Sequence, residues 1–168
     1  MATTDTYLQG NYAPVREEIT TEDLRVTGEI PAELDGRLLR IGPNPVEDAA
    51  AEDHWFTGTG MAHGVRLRDG KADWYRNRYV VSDRVSKALN RPITPGPRFH
   101  DSEGTANTNI IEHAGMTLAI VEAGGPPVLL TNELETMERI DFGGTLDGSF
   151  SAHPKRDPLT GELHVATY

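Results

Sequence analysis

An all-β fold is what this sequence predicts, and three observations predict it. Seventeen glycines and eleven prolines among 168 residues, about 17% against roughly 12% in average chains, supply many turns. The apolar stretches between them are short, of strand length rather than helix length. Thr117-Leu-Ala-Ile-Val-Glu122 and Glu162-Leu-His-Val-Ala-Thr167 each follow a strand and a turn, and they begin 45 residues apart, at 117 and 162. A period of about 40–45 residues holding four strands is the spacing of a propeller blade, and a blade needs neighbours on both faces. This chain supplies two to three blades where a propeller has roughly 4–8. Two architectures fit, a small sandwich or, the favoured expectation, the first two to three blades of a larger β-propeller, incomplete in this chain and truncated after Tyr168.

The elements follow in order. Residues 1–35 read as a lead-in with little regular structure, in which Thr20-Thr21-Glu22-Asp23 caps a single helical turn; residues 36–168 read as the partial propeller. Arg37-Leu-Leu-Arg-Ile41 is a strand, closed by Gly42-Pro43-Asn44-Pro45, where two prolines remove ladder donors. Val46–Asp53, acidic and alanine-rich, reads as an exposed loop. Asp69-Gly70 joins the strands 64–68 and 71–80 in a tight hairpin, because both turn residues tolerate positive φ. Ser82–Pro97, with three prolines, reads as a surface loop. Asn107–Glu112, Met116–Glu122, Val128–Thr131 and Met137–Phe142 are four further strands, and Phe150–His153 and Glu162–Thr167 a final pair.

Charge and composition exclude several functions. Sixteen basic against 26 acidic side chains give a net charge of −10, which repels nucleic acid and anionic membrane surfaces alike. The absence of cysteine rules out disulfides, thiolate metal sites and cysteine nucleophiles. Met1–Gly10 lacks the basic and apolar regions of a secretory leader, and the longest apolar run, Leu118–Val121, is far below the ~18 residues of a membrane span. A soluble, cytoplasmic chain is expected. Gly58-Thr-Gly-Met-Ala-His-Gly64 resembles a dinucleotide fingerprint, but His63 stands where the third glycine belongs and no helix pattern follows, so it reads as a turn feeding a hairpin. There is no Gly-x-Ser-x-Gly motif, and Ser149 and Ser151 have no evident base.

The six histidines, at 54, 63, 100, 113, 153 and 164, form no local metal motif. His153 differs in position: it ends Phe150-Ser-Ala-His153 before Pro154, the place of a blade's innermost strand, from which an imidazole can face the propeller axis. Axial ligands arriving one per blade would leave no local motif. Glu122, ending the apolar strand 117–121, reads either as a solvated strand end or as a carboxylate that orients a metal-bound imidazole.

Taken in order, these residues resemble the carotenoid cleavage oxygenases. The resemblance runs through Leu39-Arg-Ile-Gly-Pro-Asn-Pro45, His54-Trp-Phe-Thr-Gly-Thr-Gly-Met-Ala-His63, Val65-Arg-Leu-Arg-Asp-Gly70 and Tyr75-Arg-Asn-Arg-Tyr79. It continues through Thr105-Ala-Asn-Thr-Asn109, Leu118-Ala-Ile-Val-Glu122, Leu134-Glu-Thr136 and Ser151-Ala-His-Pro-Lys155, then Asp157-Pro158 and Thr160-Gly-Glu162. It implies a seven-bladed propeller with a non-haem Fe(II) on its axis, held by four histidines with outer-shell glutamates. His153 would be the first iron ligand and Glu122 an outer-shell partner, with the other ligands outside this chain. Four neutral imidazoles suit Fe(II). The implied reaction uses O2 to split a carbon–carbon double bond of an apolar carotenoid, apocarotenoid or stilbenoid into two carbonyl products, and this chain alone is expected to be inactive.

Two departures from the family pattern stand out. Thr59 occupies a place usually held by Asp, with an expected loss of local turn hydrogen bonds. Ser82–Pro97 carries Asp83, Arg84, Lys87 and Arg91, with only Val85, Leu89 and Ile93 as large aliphatics. That argues against membrane docking through this part and shifts the expectation toward a more soluble substrate. The competing expectation is a metal-free β-propeller module for binding or scaffolding.

Overall fold

A computed structural model describes residues 8–47, 55–99, 102, 104–122 and 124–167. Its strands are β1 (Thr20–Thr21), β2 (Gly36–Pro43), β3 (Gly60–Arg68), β4 (Lys71–Tyr79), β5 (Asn109–His113), β6 (Met116–Ile120), β7 (Val128–Leu130), β8 (Thr136–Arg139), β9 (Lys155–Arg156) and β10 (Leu163–His164). One helix, α1 (Asp83–Leu89), and short 3-10 turns at Gly10–Tyr12 and Trp55–Thr57 interrupt them. The strands form two four-stranded antiparallel sheets, ordered β1-β4-β3-β2 and β5-β6-β7-β8, and a two-stranded pair β9-β10. The chain is all-β with few helices, and its sheets do not close into a propeller.

Turn chemistry sets the two main hairpins. Asp69 and Gly70 lie at φ 50° and 73° between β3 and β4, and Ala114 and Gly115 at φ 51° and 77° between β5 and β6. Paired positive φ matches the twist of a two-residue hairpin. The glycines expected to make a turn before β3 instead lie within it at 60 and 64. A Cβ at Gly60 would sit 1.8 Å from the Ala106 carbonyl oxygen, so this strand and segment 106–107 approach backbone to backbone.

The sheets pack face to face. Ala62 of β3, with Leu39 and Ile41 of β2, meets Ile110 of β5, Ala119 of β6, and Val128 and Leu130 of β7. Strand β6 alternates between two cores: Ala119 faces the first sheet, while Leu118 and Ile120 face Phe150 and Ala152 on the opposite side. The second sheet is thus buried on both faces. Arginines of the first sheet reach across to β6 and the β7–β8 turn: the Arg37 guanidinium donates to Thr117 Oγ1 of β6 at 2.7 Å and to the Asn132 carbonyl at 3.0 Å, and Arg78 to Glu135 at 2.6 Å.

Several elements depart from expectation. Thr20–Thr21 is strand rather than helical turn, because the open edge of β4 offers it Arg76 and Tyr75 as partners. Within Ser82–Pro97, residues 83–89 are helical rather than loop. The Ser82 hydroxyl accepts the Val85 N–H, Asn90 ends the helix in the left-handed conformation, and Val85 and Ser86 are buried. Phe150–His153 is irregular rather than strand, since Pro154 brings no donor and side chains satisfy the backbone instead. The expected strand 162–167 shrinks to β10, whose partner β9 is confined between Pro154 and the Asp157 turn. Of the loop expected at Val46–Asp53, residues 48–53 lie outside the described residues.

Candidate functional site

The segment 149–152 is buried throughout against the second sheet. Phe150 and Ala152 are buried against Leu118 and Ile120, and the Phe150 ring lies 5.9 Å from that of Phe142. Burial ends at position 153, where the His153 side chain is 67% exposed. Glu122, two residues past β6, is 39% exposed and places Oε2 3.6 Å from His153 Nε2. That is ion-pair range, longer than a direct hydrogen bond. The same Oε2 accepts the Ala152 N–H at 3.2 Å. On the other side Asn109 Nδ2 donates to the Ala152 carbonyl at 2.9 Å, and the His153 N–H donates to Ser151 Oγ at 3.4 Å.

The two residues singled out from the sequence, His153 and Glu122, are therefore neighbours across 31 positions of chain. The other histidines stay apart from them. His63 Nδ1 meets the Tyr75 hydroxyl at 2.9 Å on the first sheet; burial, with help from Arg40, pushes its pKa down. His113 ends β5 with a buried Nδ1 that lacks a partner among the described residues. His164 lies 4.0 Å from Glu162 on β10. His54 and His100 fall outside the described residues. Among the described residues no three His, Asp or Glu side chains cluster as a metal cage. Ser151 binds backbone rather than a base.

A family model described as retinal pigment epithelial membrane protein matches residues 12–168. The chain belongs to this family, that of the carotenoid cleavage oxygenases. Within it, a carotenoid cleavage oxygenase of Mycobacterium tuberculosis is 57% identical over 165 residues, covering 96% of this chain and 33% of that protein. The crystal structure of a lignostilbene dioxygenase of Pseudomonas brassicacearum superposes with a TM-score of 0.82 at 32% identity, over 96% of this chain and 36% of that one. The cobalt-substituted apocarotenoid oxygenase of Synechocystis gives 0.71 at 26% identity, over 88% and 35%. The chain thus spans about one third of the length of these relatives and corresponds to the N-terminal portion of the family.

Against the family pattern, Thr59 behaves differently from expectation. It is fully buried, its hydroxyl donates to the Asn44 carbonyl at 2.6 Å and accepts the Val46 N–H at 3.0 Å. The turn hydrogen bonding expected to be lost is made by the threonine hydroxyl. Sequence reasoning passed over Asn109 and Ser151 as contributors to the site. Both lie in stretches that carry the family resemblance, but a side chain holding a backbone carbonyl 43 positions away leaves no local signal.

Proposed function

We propose that this chain contributes His153, as a metal ligand, and Glu122, as its outer-shell carboxylate, to a non-haem Fe(II) dioxygenase that cleaves a carbon–carbon double bond of an apolar polyene or stilbenoid. The observation that carries this reading is the 3.6 Å approach of Glu122 to the His153 ring on a segment whose neighbouring residues are anchored in the core. The donor set fits part of such a site: a neutral imidazole suits Fe(II), and a carboxylate beside a ligating ring fixes its tautomer and orientation. The names of relatives acting on carotenoids and lignostilbene, and one studied with cobalt substituted, support the reaction class and the presence of a metal.

In this reading the metal, when bound, supplies the activation of O2. The residues of this chain would present the imidazole, keep the Glu122 carboxylate beside its Nε2, and hold the backbone before it fixed. One O2 is consumed per double bond, and each carbon of that bond leaves as a carbonyl. The two four-stranded sheets would be blades of a seven-bladed propeller and β9-β10 the start of another, with residues 1–35 as lead-in, and the remaining ligands would come from blades outside this chain. We place the activity in the cytoplasm. Docking to a membrane through residues 82–97 is disfavoured. Val85 is buried, and Asp83, Arg84 and Arg91 are engaged with Arg98 and Arg139, Glu47, and Glu18.

The test is His153→Ala in the intact protein, with iron content and product formation measured together. Loss of both is expected, and full retention of both would leave the metal-free module as the better reading. Glu122→Gln should lower activity by ~10–100-fold, as outer-shell changes do. The 168-residue chain alone should carry no stoichiometric iron, since only one of its six histidines, His153, is assigned as a ligand.

A further inference from the structure

We infer that Asn109 is a positioning residue for His153, acting on the peptide that carries the imidazole rather than on the imidazole itself. This rests on the reading of His153 as a metal ligand. Asn109 opens β5 directly opposite Ile120 of β6, so it stands at the same end of the sheet as Glu122. Its Nδ2 donates to the Ala152 carbonyl at 2.9 Å, while its Oδ1 accepts the Ile110 N–H at 2.8 Å. An amide flip would break both bonds, so the side chain has one useful orientation.

The Ala152 carbonyl belongs to the same rigid plane as the His153 nitrogen and Cα. Holding that oxygen therefore sets the direction from which the imidazole leaves the backbone. Ser151 Oγ accepts from the N–H of the same plane, and Glu122 holds the preceding N–H. Asn109, Ser151 and Glu122 together replace the strand partner that this irregular segment lacks. The His153 ring is 67% exposed and gains little constraint from packing, so its placement depends on this grip. Ala152 is fully buried, which leaves water poorly placed to stand in for a lost amide.

The experiment compares Asn109→Asp, which keeps the acceptor and removes the donor, with Asn109→Ala in the intact protein. Co(II) affinity is measured by chelator competition, alongside thermal melting of the metal-free protein and the separate kcat and KM. The expected result for both variants is a ~10–100-fold loss of Co(II) affinity, the range seen when outer-shell partners are removed. Melting should shift by no more than about 4 °C, and KM should stay within about twofold while kcat falls. If His153→Ala abolishes Co(II) binding but both Asn109 variants bind within twofold of wild type, the inference about Asn109 is overturned and the metal-ligand reading stands. If His153→Ala binds Co(II) normally, the reading itself fails and this inference falls with it. Loss of a cooperative melt in both Asn109 variants would also overturn the inference, because Asn109 would then serve folding.

Discussion

Residues 15–19 and 149–153 are both irregular segments laid against a sheet, and they are held by opposite means. The first is gripped by polar groups. Asn44 accepts the Val15 N–H and donates to the Val15 carbonyl, Asn77 does the same with Ile19 N–H and Glu17 O, and the Glu18 carboxylate accepts the Tyr79 N–H and pairs with Arg91. The second has Phe150 and Ala152 in an apolar core, with Asn109 and Glu122 bonded to the backbone of Ala152. An apolar anchor is indifferent to pH and to salt, whereas a charge-assisted clamp responds to both. Phe150 and Ala152 give the segment carrying the candidate ligand an anchor of the indifferent kind, and the Glu122 carboxylate adds a charged grip at the Ala152 N–H.

That contrast can be broken in three ways. Phe150→Ala should have the largest effect, about 3–5 kcal/mol as for other buried aromatic truncations. Amide hydrogen exchange in the intact protein should show protection lost at Ala152 and retained at Asn77. Asn77→Ala should cost about 1–3 kcal/mol, because it leaves the Ile19 N–H and the Glu17 carbonyl without their partner; protection should then fail at 15–21 and persist at Ala152. Acid should have the smallest effect. Burial alone would raise the Glu18 carboxyl, but Arg91, the Tyr79 N–H and Arg78 outweigh it and hold it below its ordinary value of 4.5. A depressed folded pKa means that this stabilisation is complete above 4.5 and fades as pH falls through the lower folded value. With the intrinsic pH dependence of exchange divided out, the protection factors at 15–21 should therefore fall as pH drops through that lower value. Protection factors unchanged across that range would remove the acid response.

Much of the scaffold was legible because its turns are local. Asp69-Gly70 announces its hairpin with residues that accept positive φ, Gly115 marks the second while Ala114 takes the left-handed conformation beside it, and the strands around them lie close to where alternation and β-branching put them. Helix α1 was hidden by the three prolines of its stretch; its Ser82 cap and Asn90 stop are equally at home in a loop. The strand expected over 150–153 failed for a different reason. Its apolar alternation is real, but the partners satisfying its backbone are the side chains of Asn109 and Glu122, which a pattern of apolar residues cannot reveal. His153 and Glu122 were each legible, from their positions at strand ends and from the resemblance, but their adjacency across 31 positions was not.

The bond from Arg37 to the Asn132 carbonyl joins residues 95 positions apart, and this has a consequence during synthesis. At ~5–20 residues per second, a ribosome takes about 5–20 s to travel from one to the other. For that interval β2 has emerged without the second-sheet residues against which Leu39 and Ile41 pack. The nascent chain thus passes through a window in which a holding chaperone has a ready target, and that window closes when the β7–β8 turn leaves the exit tunnel.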